Sequence, residues 1–218
     1  MKVRNTPELV VSATSRKKQI NFKKLYLKLE EKGGDSIDKL LPREVLRTKT
    51  RKTSDAEIPI KVYIHGGYAV VAEGNVVLAT DWLHECAALK IIDPTSCNLH
   101  YLLHGSPSTF VTDIIDSLSK AKALGINLKD SEIEIMPGRL IDILAPSKML
   151  EALYKFNSHL LDKVVLIRDF NLCDDTGQGL ATYNGKTYRY PSRDMNYDFE
   201  CHCVVQKLAR SGFEVVLQ

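Results

Sequence analysis

Long hydrophobic runs are the first thing this chain lacks. No apolar stretch approaches the ~20 residues that cross a bilayer, so no membrane span is expected. Near the start only Leu9-Val10-Val11 is continuously apolar, too short for the core of a secretory signal. Five cysteines, at 86, 97, 173, 201 and 203, make an odd count, which argues for reduced thiols in a cytosolic setting rather than a disulfide scaffold. There is no Walker loop, no GxGxxG, no GxSxG and no HExxH. Those absences remove the common phosphate-binding, dinucleotide-binding, serine-hydrolase and zinc-protease signatures.

What is present is enough apolar material, 44% of 218 residues, to build a real core in one domain with an extension. Charge is uneven. Residues 1–54 hold fifteen Lys or Arg against six Asp or Glu, whereas 55–218 hold fifteen against twenty-one. A basic leader, 1–54, therefore precedes an acidic body, 55–218. Such a leader suits nucleic acid, membrane or an acidic partner, or is simply a solvated helix and linker. Its aromatics are only Phe22 and Tyr26, which leaves little for base stacking and counts against a nucleic-acid binder.

Apolar spacing predicts a helix over 15–32, with Ile20, Leu25 and Leu29 in a stripe ended by Gly33-Gly34, and a second short helix over 35–47. Residues 48–57 read as a linker. From 58 on, β-branched runs at 58–64, 68–73 and 75–80 read as strands. Residues 86–93 and 98–104 flank Asp93-Pro94-Thr95-Ser96, a hairpin turn. Helices are expected over 108–124, capped by Ser108, over 146–160, capped by Ser147, and over 198–211. Strands are expected at 132–138 and 163–170, with a hairpin around Asn184-Gly185. The resulting fold class is α/β (α+β): a mixed, sandwich-like β core with helices packed outside and a basic helical arm.

Three places could carry chemistry. Cys201-His202-Cys203 falls short of the four ligands a zinc site needs. Asp169 with Asp174-Asp175 could hold a cation, but acidic loops are commonly just solvated. The segment 75–105 is the third. Cys86 opens one strand and His100 lies on the antiparallel strand after it, so the thiol is expected to oppose residues near 100–104. An imidazole facing a thiol can take its proton and make a nucleophile. Thr80, six residues upstream of Cys86, could return to orient that imidazole. The alternative is a small buried cysteine and a core histidine.

Thr80, Cys86, the strand AALKIIDP and then LHYLLHG resemble the chemotaxis-receptor glutamine deamidases (CheD). The helix from Phe110 to Leu124, Gly125-Ile126-Asn127 and the strand ending at Pro137-Gly138 continue the likeness over about residues 60–170. The same Thr/Cys/His order is similar to that of the catalytic domains of cytotoxic necrotising factors. This resemblance implies Cys86 as nucleophile, His100 as base, with His104 as runner-up and His84 as a competitor, and Thr80 as the orienting group. It implies a protein-glutamine deamidase that needs no cofactor and no metal, or a transglutaminase if an amine replaces water. The chain departs from the family at His84-Glu85, which replace Gly-Ser, at a shorter hairpin turn, and at Met136-Pro137-Gly138, which replace a paired-glycine corner.

The implied partner is a protein carrying a glutamine. The leader and the divergent site suit a bacterial effector or toxin acting on a host protein, either cytoplasmic or exported without a classical signal. Translocation of the tagged chain would test that. The rivals are a catalytically inactive protein-binding domain of the same fold and a nucleic-acid binder working through the leader.

Overall fold

The computed structural model describes residues 20–37, 60–73, 76–95, 99–138, 143–168, 178–191, 203–209 and 212–217. The first helix, α1 (Phe22–Glu31), starts at Asn21, whose side chain accepts from the Lys24 backbone N–H at 3.0 Å. The strands that follow are β1 (Asp35–Ser36), β2 (Ile60–Tyr63), β3 (Tyr68–Glu73), β4 (Val76–Thr80), β5 (Ala87–Ile92) and β6 (Leu99–Gly105). Then come α2 (Val111–Ala123), β7 (Glu132–Pro137), α3 (Leu144–Phe156), a 3-10 turn Ser158–Lys163, and β8 (Val164–Arg168). The chain finishes with β9 (Gln178–Tyr183), β10 (Lys186–Pro191), β11 (Cys203–Ala209) and β12 (Gly212–Leu217).

Two sheets form. The larger runs β1-β8-β7-β5-β6-β3-β11-β12 and the smaller β10-β9-β4-β2. Both are mixed, since β1–β8, β7–β8 and β2–β4 pair parallel and the other pairs antiparallel. Strand alternation separates the large sheet into two apolar faces. Ala87, Leu89, Ile91, Tyr101 and Leu103 pack with Ile114, Leu118, Met149, Leu150 and Leu153 from the helices. Val70, Ala72, Ala88, Leu102 and Met136 face the small sheet's Val62, Val76, Leu78 and Leu180. The α+β, sandwich-like architecture with helices outside is therefore what the chain adopts.

Inside that sandwich one polar cluster ties the sheets together. Lys90 of β5 donates to Glu134 Oε2 of β7 at 2.8 Å and to Thr187 Oγ1 of β10 at 2.5 Å. Thr187 in turn donates to the same carboxylate oxygen at 2.8 Å. Burial pulls the Lys90 ammonium below its usual range, against the pull of Glu134.

Several expectations need correction. Where a helix was expected over 198–211, β11 pairs with β3 and β12, with Val205 opposite Val70 and Val216. Asp35-Ser36 are a parallel strand against β8 rather than the start of a helix. Neither expected serine caps its helix: Phe110 precedes α2 and Ile143 precedes α3, both without a side-chain cap. Ser147 lies inside α3 and donates its hydroxyl to the Ile143 carbonyl. The leader is not a detached arm over α1, because Tyr26 is in the main core and Phe22, Leu25 and Leu29 pack against it. The linker at 48–57 lies outside the described residues. The Asn184-Gly185 hairpin is present, with φ of 46° and 74°, the pair of left-handed residues that a two-residue hairpin turn favours.

Candidate active site

Hairpin register decides which histidine lies nearer the cysteine along the sheet. β5 and β6 pair with Ala87 opposite Gly105, Ala88 opposite His104 and Ile92 opposite His100. Cys86, just before β5, shares a sheet face with Ala88. His104 is thus the histidine diagonal to it across the strand pair, a relation of roughly 7–8 Å between Cα atoms in a regular ladder. His100 lies on the same face, but four residues away along β6, which is roughly 13 Å. The structure does not bring His100 to Cys86. His100 sits in the interior near Lys90, whose charge joins burial in holding its pKa down.

Thr80 goes to His104 as well. It ends β4 on the facing sheet, and its Oγ1 lies 2.8 Å from His104 Nδ1 and 2.7 Å from the Ile64 carbonyl oxygen. A hydroxyl has one proton, and the carbonyl can only accept it. The Thr80 oxygen therefore accepts from Nδ1–H, which leaves Nε2 as the unprotonated nitrogen. Nε2 faces Gly66, where a β-carbon would come within 3.6 Å of it. Burial drives the His104 pKa down to about 4, so the ring is neutral at physiological pH.

Cys86 is half-buried and unbridged. Burial, with the Glu85 carboxylate second, pushes its thiol above the ordinary range. Its loop is held by Gly138 at the end of β7. A β-carbon there would collide with the Leu83 and His84 carbonyl oxygens and lie 2.6 Å from that of Cys86. Only glycine lets the β7 corner seat against the segment that presents the thiol. On the other side, the loop after β6 is pinned to α3, where the Lys148 ammonium donates to the carbonyls of Pro107 and Thr109.

The turn from Thr80 to Cys86 contains two features that spacing did not single out. Trp82 takes a left-handed φ of 56° and is 68% exposed. Asp81 is buried, and its Oδ1 has no hydrogen-bond partner among the described residues. Desolvation raises its carboxyl to about 6 from 3.8. The folded chain therefore holds that proton more tightly than the unfolded one. The stability that the Asp81 proton contributes is fully present below pH 3.8 and is lost as pH rises through 6. Asp81→Asn is expected to stabilise the protein by about 2 kcal/mol at pH 7.5, with the gain gone by pH 4. Urea unfolding at the two pH values measures it, and an equal effect at both would refute the assignment.

Cys201-His202, Asp169 and Asp174-Asp175 lie outside the described residues. Among those described, no group of three or more His, Cys, Asp or Glu could hold a metal ion. Nor is any helix among them long and apolar enough to cross a membrane. His84 is half-buried in the turn before Cys86, its ring 6.1 Å from that of Trp82. No protein-family model and no curated protein matches this sequence.

Proposed function

We propose that the chain is a thiol-dependent amidohydrolase that converts glutamine side chains of a partner protein to glutamate. Cys86 is the nucleophile, His104 the base and Thr80 its orienting group. The observation that carries this reading is the buried Thr80–His104 hydrogen bond, which fixes the imidazole tautomer at the end of the sheet where Cys86 stands.

Thiol and imidazole are both neutral at rest, so the reaction starts with general-base transfer rather than from a standing thiolate. His104 Nε2 takes the thiol proton as sulfur attacks the carboxamide carbon. Backbone N–H groups, that of Cys86 among them, stabilise the tetrahedral oxyanion. The imidazolium then gives its proton to the nitrogen, the C–N bond breaks, and ammonia leaves a thioester. Water, deprotonated by His104, cleaves the thioester to glutamate and returns the thiol. An amine in place of water would give transglutamination.

The test is incubation of the full chain with a library of glutamine-containing peptides. A +1 Da change at glutamine that vanishes in Cys86→Ser is the expected result. The raised thiol pKa and the exchange of Gly-Ser for His84-Glu85 favour a second reading, an inactive binding domain of the same fold. Peptide binding with no mass change at any pH from 6 to 9 would establish that one instead.

A further inference from the structure

Outside the candidate active site, the beginnings of three helices enclose a cleft. Ile20 and Phe22 at the start of α1, Val111 at the start of α2 and Leu144 at the start of α3 give it apolar walls. Its volume of 590 Å³ falls within the ~300–1,000 Å³ that binding pockets occupy. Lys148 also lines it, and the same ammonium holds the Pro107 and Thr109 carbonyls. The cleft therefore lies beside the loop that leaves β6 after His104.

Its charge is positive and unmet. Lys148 is half-buried and uses two of its three N–H groups on those neutral carbonyl oxygens. Among the described residues no carboxylate pairs with it. Lys23, exposed on α1, adds a second ammonium to the lining. Glu151 is the one carboxylate among the described lining residues, and it is engaged 2.7 Å from Lys155, one turn further along α3. The positive ends of three helix dipoles meet at the same place, and α2 and α3 have no side-chain cap to offset them. The chain's own beginning does not complement this charge, because residues 1–19 hold five Lys or Arg against one Glu.

We propose that this cleft is a docking site for an acidic segment of a partner protein. One bulky apolar side chain of that segment sits among Ile20, Phe22, Val111 and Leu144, and its flanking carboxylates meet Lys23 and Lys148. The apolar side chain leaves water on docking, and the acids supply the counter-charge that Lys148 lacks. The docking site does not depend on the deamidase reading: it concerns where a partner is held, not what is done to it.

Three fluorescein-labelled heptapeptides, titrated into the full-length chain and read by anisotropy, test it. The first has a central leucine flanked by glutamates, the second the same leucine flanked by lysines, and the third a serine flanked by glutamates. The first is expected to bind at least about tenfold tighter than either of the others. Lys23→Glu should weaken it about fivefold, and Glu151→Gln, which removes the like charge from the lining, should tighten it about threefold. Neither exchange touches Lys148, so the loop after β6 stays held in both. Absence of binding, equal affinity for the lysine or the serine peptide, or an affinity unmoved by both exchanges would overturn the proposal. So would sedimentation showing a dimer of the free chain that Lys23→Glu breaks, since the cleft would then belong to a second copy.

Discussion

Exchanging His104 for glutamine is expected to lower glutamine hydrolysis by about 10²–10⁴-fold, the usual worth of a positioned general base. The same exchange at His100 should leave the rate within a few-fold of wild type. Glutamine is chosen because its amide can still donate to Thr80 while offering no base. Retention of thermal unfolding by His104→Gln separates lost chemistry from lost fold, and Thr80→Val gives a second, milder probe of the same unit. The pH profile supplies an independent check. His104 must be neutral to accept the thiol proton, and its pKa lies near 4. Activity should therefore hold as pH falls to about 5 and drop below 4, instead of failing near the ordinary histidine value of 6.5. A larger loss from His100→Gln than from His104→Gln would overturn the assignment.

Gly138→Ala should do comparable damage without touching any reacting group. The added carbon meets three backbone carbonyl oxygens, those of Leu83, His84 and Cys86, and backbone cannot rotate aside as a flexible side chain would. Either β7 withdraws from β5, where Pro137 pairs with Ala87, or the segment bearing the thiol moves. Overpacking of this kind costs about 1–3 kcal/mol. A shift of 1 Å at the nucleophile costs about 10²-fold in rate. The expected result is a destabilised, still folded protein with at least that loss of activity. The contrast is Gly185→Ala, where a β-carbon meets nothing within 4 Å: it should cost only the strain of its φ of 74° and leave activity intact. Wild-type activity in Gly138→Ala would show that the corner does not position Cys86.

The sequence carried the strands around the site well. Runs at 68–73 and 75–80, and the apolar pair around Asp93-Pro94, became β3, β4, β5 and β6, because alternating β-branched segments between Gly, Asn and Pro have few other uses. It failed at 198–211. Val204-Val205 and Leu208 can serve a helix or a strand, and what decided was non-local, the edge of β3 from Tyr68 to Ala72 standing free to pair.

By itself the sequence determined that Thr80 and Cys86 stand six residues apart, that a histidine-bearing strand returns beside Cys86, and that a glycine closes β7. It could not choose between His100 and His104. They stand four residues apart on one strand, so both fall on the same sheet face, and face alternation cannot tell them apart. Register can. It depends on how many residues the turn after Asp93 consumes, which the tertiary structure settled by pairing Ala87 with Gly105. The tertiary structure alone also brought Thr80 from the second sheet to His104, since strands in different sheets share no local signal. It alone set the burial that holds the imidazole and the thiol neutral, because desolvation belongs to the packed chain and to no residue in isolation.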